Sequence, residues 1–331
     1  MKKRILILVL CLLMLAGCGK PSEKYERQVF AMDTVMSLQV WGRDGDPVLQ
    51  DLEKNIWDME ARLSVTREGS ALWNLNRDGE VTLSDAEAEM LRTVLDINKK
   101  SGGVLDPCLY PVTSLWGFTT GQYRVPEENE ISRELARTGA QNVHLDGNTV
   151  TLEPGAEMDL GAAVKGWAGQ VCADRLAEEK NIVCGLLYLG GNIQTYGTKV
   201  DGSDWRIGIQ DPFTSATAGV LNVQGTCSVV TSGGYQRFFE EDGLRYCHII
   251  DPATGRPAES GLASVTIVAR DGLLADCLST TLYILGLEKA GDYWRENGDF
   301  EAVFITDEGR VYATEGLKDA LSGCEFEVIA K

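Results

Sequence analysis

The 331-residue chain carries 31 Lys plus Arg against 49 Asp plus Glu, a formal net charge of −18, and 44% hydrophobic residues. This is the balance of a water-soluble globular protein, and it excludes low-complexity disorder and a multi-span membrane protein. Nucleic acid is a poor partner, because its binding leans on Lys and Arg neutralising phosphates, so an anionic ligand here needs a metal ion or one well-placed Lys.

At the N-terminus, Met1-Lys2-Lys3-Arg4 is a basic region followed by the apolar run Ile5 to Leu15 and then Leu15-Ala16-Gly17-Cys18. The run is too short for a comfortable permanent span and reads as a secretory signal over residues 1–17. Small residues just before a cysteine resemble a lipoprotein signal-peptidase site, which makes Cys18 a lipidated N-terminus on the extracytoplasmic side of the cell membrane. Losing Lys2, Lys3 and Arg4 with the signal takes the formal charge from −18 to −21. Residues 18–27 then read as the lipidated cysteine and a polar tether, and 28–331 as one catalytic domain, since no repeat, heptad or Pro/Ser-rich linker divides it.

Along that domain, Leu49, Leu52, Ile56, Met59 and Leu63 recur at helical spacing, and Ser84-Asp85-Ala86-Glu87 is a capping box opening a second helix that ends at Gly102-Gly103. A third helix is expected over Glu127 to Thr138. Val143 to Leu152 alternates around Asp146-Gly147 and predicts a hairpin. Further helices fit Ala163 to Lys180, Leu273 to Leu285 and Glu288 to Asn297. Strands fit Gly185 to Leu189, Trp205 to Gln210, Gly219 to Val223, Tyr246 to Ile250, Ala263 to Ala269, and a hairpin from Ala302 to Thr314. The fold class is therefore α+β, a single compact unit of two lobes with largely antiparallel sheets and flanking helices. The seven cysteines beyond Cys11 and Cys18 are scattered, odd in number and without a CxxC pair, so they read as small buried hydrophobes rather than a disulfide framework or zinc site.

Scarcity prunes the chemistry, because only His144 and His248 exist and there is no HExxH, GxSxG, Walker A loop or GxGxxG after a strand. His144 lies beside a hairpin turn and reads as structural. His248 opens His248-Ile249-Ile250-Asp251-Pro252, where a strand meets a turn, and fits either a functional group or a hydrogen-bonded edge histidine. Met158-Asp159-Leu160-Gly161-Ala162-Ala163-Val164-Lys165 passes from a strand end through small residues into a helix, where backbone N–H groups and Lys165 could hold phosphate. In Ala275-Asp276-Cys277-Leu278-Ser279-Thr280, a spacing of four puts Asp276 and Thr280 on one helix face as hard oxygen ligands suited to Mg²⁺, unless Asp276 or a neighbour merely caps the helix. Gly190-Gly191-Asn192 and Thr231-Ser232-Gly233-Gly234-Tyr235 are glycine-rich turns.

Taken in order, these segments resemble the ApbE-type FAD:protein FMN transferases, from about Val29 to Ile329. The matching pieces are Met32-Asp33-Thr34, Leu63-Ser64 with Ser70 to Asn76, Gly103-Val104-Leu105-Asp106-Pro107 with Leu115-Trp116-Gly117-Phe118, Asp159 to Gly166, Leu189-Gly190-Gly191-Asn192, Thr231-Ser232-Gly233, His248 to Pro252, and Ala275 to Thr280. The resemblance implies an ApbE-like fold without a Rossmann domain. It implies an enzyme that binds FAD with Mg²⁺ at the pyrophosphate, moves FMN onto a threonine or serine hydroxyl of an acceptor flavoprotein, and releases AMP. It further implies Asp276, Thr280, the Ala162 carbonyl and Ser279 as the magnesium site, with Met32, Val104, Leu105, Asp106, Asp159, Lys165 and Ile250 along the FAD. His248, Asp276 and Lys165 are the catalytic candidates, with His248 as the candidate base and Asp276, a poorer base when bound to metal, as the alternative. Thr66 stands where the family has an aromatic flavin contact, and Asp33 replaces a glycine. The implied acceptor is a surface flavoprotein of an electron-transfer chain. Two rivals use the same residues: an FAD pyrophosphatase giving FMN and AMP, and a non-catalytic FAD-binding lipoprotein.

Overall fold

The computed structural model describes residues 22–214 and 216–331, so the signal segment and Cys18 lie outside the described residues. Its main sheet has nine strands in plain sequence order. They are labelled here β1 (Glu23–Ala31), β2 (Thr34–Gly42), β3 (Ile182–Tyr188), β4 (Asn192–Tyr196), β5 (Ser228–Gly233), β6 (Leu262–Ala269), β7 (Glu301–Thr306), β8 (Val311–Thr314) and β9 (Glu327–Ile329). Every neighbouring pair is antiparallel except β8 with β9. The helices are α1 (Gly45–Leu63), α2 (Ala71–Asp78), α3 (Asp85–Lys100), α4 (Tyr110–Leu115), α5 (Glu128–Leu135), α6 (Val164–Glu178) and α7 (Gly272–Asn297). The expected α+β class with largely antiparallel sheets holds.

Side-chain alternation sorts the sheet into two buried faces. Val230, Val265, Ile267, Ala302 and Phe304 face the α7 side, where Leu273, Leu278 and Leu282 join them. Val229, Val303 and Ile305 face the other way, onto Trp205, Ile207, Ile209 and Leu221 of a three-stranded sheet formed by Trp205–Gln210, Thr217–Val223 and Leu321–Ser322. Because both faces are covered, β6 is buried almost throughout, Ser264 and Thr266 included. A second lobe holds α2 and α3 with the small sheet of Glu80–Thr82, Val143–Asp146 and Thr149–Leu152. A further apolar cluster carries Val112, Trp116, Phe118 and Ile131 against Ile250. The cleft opens between this lobe and the mouth of the main sheet.

Local signals place the ends. Ser84 completes the capping box expected for α3, and Ser70 caps α2 by accepting from Trp73 N–H at 2.9 Å. Asp271 caps α7 by accepting from Leu274 N–H at 3.0 Å, which leaves Asp276 free of that duty. The two helices expected between Leu273 and Asn297 are both present and meet at Gly286, whose φ of 77° and ψ of 167° interrupt the helical path inside α7.

Three expectations need correction. The tether does not reach residue 27, because Glu23–Ala31 already pairs with β2 and Arg27 bonds Glu53 at 2.7 Å, so polar spacing hid an edge strand. No strand precedes Asp159; residues 153–163 are irregular, pinned instead by Asn76, whose carboxamide bonds the Met158 carbonyl and N–H. Thr231 and Ser232 belong to β5 rather than to a turn; alternation sends Ser232 to the α7 side, 2.7 Å from the Ser279 hydroxyl, and Thr231 to the other, 2.8 Å from the Thr266 hydroxyl. Among the described residues no helix is long and apolar enough to cross a membrane, and the cysteines from Cys108 to Cys324 are unpaired.

Candidate active site

A cleft of about 530 Å³ gathers residues from both lobes. Its first wall is the β1–β2 turn, where Met32 and Asp33 both take left-handed backbone (φ 51° and 58°) that normally asks for Asn-Gly. Aspartate bears such strain better than most side chains, and Met32 N–H is held by Glu60 at 2.6 Å. Thr66 stands on the same side, without an aromatic ring. Val104, Leu105 and Asp106 form the opposite rim. Asp106 accepts from the N–H groups of Cys108 and Gly139, both at 2.8 Å, and burial raises its pKa.

The centre of the cleft is the crossing of α6 and α7. An α-helix would aim the Gly166 N–H at the carbonyl of Ala162, but here it donates to Asp276 at 2.7 Å. Among the described residues no donor takes the Ala162 carbonyl, and it lines the cleft. The approach is possible only because residue 166 has no side chain: a Cβ there would lie 2.1 Å from the Gly272 carbonyl oxygen and 2.5 Å from the Asp276 Cβ. Asp276 is buried, and burial raises its pKa, with the Lys165 charge and the Gly166 N–H acting against that rise. Thr280 lies one turn on, in the cleft. Ser279 does not line the cleft; its hydroxyl donates to the Asp276 carbonyl at 2.8 Å and sits 2.7 Å from the Ser232 hydroxyl.

A buried carboxylate short of positive charge, a hydroxyl and an unclaimed carbonyl form an oxygen set that fits a hard cation such as Mg²⁺. The described residues hold no group of three His, Cys, Asp or Glu able to bind a metal, so such a cation would rely on one carboxylate, neutral oxygens and the ligand's own phosphates. Lys165 faces the same space and makes no ion pair among the described residues. Asp159 lines the cleft, accepting from Gly161 N–H at 2.8 Å, and burial raises its pKa against the pull of Lys165.

His248 faces this centre, while Ile250 packs beside it and His144 lies on the surface, 2.8 Å from Glu153. The His248 Nδ1 is 3.1 Å from the carbonyl of Arg237. A carbonyl only accepts, so Nδ1 carries the proton and the Nε2 lone pair is free. Burial first, then the charges of Lys165 and Arg237, push the His248 pKa down to about 4. The ring is therefore neutral at physiological pH and able to take a proton.

Of the residues expected from the sequence, all but Ser279 border one cleft. Sequence reading missed Arg237, Tyr110 and Phe118, which line it too. Arg237 was traceable as a cation just after a glycine-rich segment; Tyr110 looks like an ordinary core aromatic in sequence, and Phe118 enters there only through the Leu115-Trp116-Gly117-Phe118 match, with no role of its own.

The profile of the ApbE family matches residues 32–304. The chain is 33% identical over 342 residues to the FAD:protein FMN transferase of Treponema pallidum, covering 96% of this chain and 94% of that protein. It is 31% identical over 331 residues to the FAD:protein FMN transferase of Vibrio cholerae, covering 96% and 98%. Among solved structures, the ApbE protein of Thermotoga maritima matches with a TM-score of 0.84 at 28% identity over 90% of this chain and 99% of that one. The flavin transferase ApbE of Vibrio cholerae matches with a TM-score of 0.81 at 28% identity over 91% and 100%.

The state of His248 is directly measurable. In the free protein, the imidazole resonance that disappears in His248→Gln should titrate near pH 4, well below the ordinary value of about 6.5. Lys165→Met removes a nearby cation and should move that midpoint upward. A midpoint at the ordinary value that ignores Lys165→Met would contradict the burial and charge argument.

Proposed function

The chain belongs to the ApbE family, and from that membership we propose that it is an FAD:protein FMN transferase, moving FMN from FAD to a protein hydroxyl and releasing AMP. The observation that carries this reading is the α6–α7 crossing, which sets a buried carboxylate, an unclaimed carbonyl, a hydroxyl and Lys165 at one point, facing a neutral His248. The acceptor hydroxyl oxygen attacks the FMN-side phosphorus, the bond from that phosphorus to the AMP oxygen breaks, and the hydroxyl proton passes to Nε2 of His248. AMP leaves with the electron pair of the broken bond.

The pyrophosphate is anionic and meets a chain of formal charge −18, so favourable charge must be local. Lys165 supplies one cation at the site, and Asp276, Thr280 and the Ala162 carbonyl would hold Mg²⁺. A bound Mg²⁺ would neutralise phosphate oxygens and draw charge from the departing phosphate. Burial holds the His248 pKa down with help from Lys165 and Arg237, and a bound pyrophosphate offsets those two cations, which strengthens this base when substrate is present. Threonine is the proposed acceptor residue, on a surface flavoprotein of an electron-transfer chain. Lipidation at Cys18 would hold the enzyme at the outer face of the cell membrane.

The reading is tested by incubating the mature protein with FAD, Mg²⁺ and an acceptor flavoprotein, and following acceptor mass and AMP. One FMN per acceptor with matching AMP is expected; AMP formed equally well without acceptor would identify a pyrophosphatase, and tight FAD binding with no AMP a storage protein. In the same assay His248→Ala should lower turnover by about 10²–10⁴-fold, whereas Lys165→Ala should chiefly weaken FAD binding, because its charge meets phosphate before and during the reaction. Unchanged turnover in His248→Ala would move the base elsewhere. For the anchor, Cys18→Ser should leave the protein soluble and active, and continued membrane association of that variant would refute lipidation there.

A further inference from the structure

Beside Asp276 the cleft wall carries a polar side chain to which neither sequence reading nor the mechanism above gives a role. Asn192 opens β4 directly after Gly190 and Gly191, whose φ angles of 66° and 96° make the tight turn possible. Its backbone is held from two sides: its carbonyl accepts from Leu189 N–H at 2.7 Å, and it pairs across the sheet with Val230. The residue is thereby held on the cleft wall at 4% exposure.

Its Nδ2 is buried and has no hydrogen-bond partner. A buried donor left unmet is costly, and folded proteins seldom keep one without a use. The other unmet buried atoms among the described residues are the hydroxyls of Thr119, Ser260 and Ser264, each with a single proton free to rotate toward a partner, whereas the Asn192 amide carries two donors to satisfy. The Asn192 amide lies beside the Asp276 carboxylate, near enough to help hold it ionised but outside hydrogen-bond geometry, while the Asp276 Oδ2 accepts from Gly166 N–H. An anion entering the corner defined by Lys165, Asp276 and Thr280 would bring the missing acceptor.

We propose that Asn192 is a further substrate-contacting residue, whose amide N–H donates to an oxygen of the phosphoryl group being transferred, beside the cation held by Asp276 and Thr280. The proposal rests on the flavin-transferase reading and deepens it. An amide suits this place because it adds a directed hydrogen bond without adding charge, and it keeps its protons through the reaction. A donor fixed before substrate arrives needs no reorganisation when charge grows on the phosphoryl oxygens.

The test uses FAD, FMN and riboflavin as probes, with affinities read from flavin fluorescence over a range of Mg²⁺ concentrations. Asn192→Ala should weaken FAD and FMN by about tenfold or more, leave riboflavin, which has no phosphate, within about twofold, and leave the Mg²⁺ concentration at half-effect unchanged. Asn192→Asp sets an anion against the phosphate and should weaken FAD further than Asn192→Ala. Asn192→Ser keeps a donor and should fall between wild type and Asn192→Ala, with melting temperatures showing that each variant is folded. Equal weakening of riboflavin would overturn the proposal in favour of a structural role. A raised Mg²⁺ requirement with FAD affinity unchanged in chelator would overturn it in favour of a residue that merely positions Asp276. If the wild-type protein binds neither FAD nor FMN, the transferase reading falls as well, a result separate from both.

Discussion

One hydrogen bond, from the Gly166 N–H to the Asp276 carboxylate at 2.7 Å, organises the rest of the site. It requires α6 and α7 to cross at glycines on both sides, since a Cβ at Gly272 would also meet the Gly166 carbonyl oxygen at 2.5 Å. The crossing pulls a carboxylate inside the protein and withdraws from the Ala162 carbonyl the donor that a regular helix would give it. Structure and chemistry share a cause here: the contact that packs the helices is the one that leaves oxygens facing the cleft.

The electrostatic consequence is a site out of balance until it is loaded. Burial raises the pKa values of Asp106, Asp159 and Asp276, while burial first, then the charges of Lys165 and Arg237, depress that of His248. Cations and carboxylates thus face one another across a space suited to a ligand that carries negative phosphate together with a positive ion. In a chain this acidic, such a site is the local device that an anionic substrate needs.

Much of this could be read from the sequence. The helical spacing from Leu49 to Leu63, the capping box at Ser84 and the hairpin around Asp146-Gly147 each follow from a local rule, and each is present. The spacing of Asp276 and Thr280 likewise put both on the cleft side of α7. What stayed hidden depends on distant contacts. Strand β1 reads as a polar tether because one face of an edge strand is solvated, and only pairing with β2 reveals it. The Ser279 hydroxyl meets Ser232, a partner 47 positions away, a contact that helix spacing alone could not show. Asn192 appears in sequence as part of a glycine turn; its unmet amide exists only once the fold buries it in the cleft wall.

The account's central claim is that Asp276 grips a cation that in turn grips the pyrophosphate. It is tested most directly by titrating FAD into the wild-type protein and into Asp276→Asn, each with Mg²⁺ and with chelator, and reading affinity from flavin fluorescence. The substitution keeps size and removes the one ionised ligand assigned to the cation. The account predicts that Mg²⁺ tightens FAD binding to the wild-type protein and has little effect on Asp276→Asn. Equal tightening of both proteins by Mg²⁺ would contradict it.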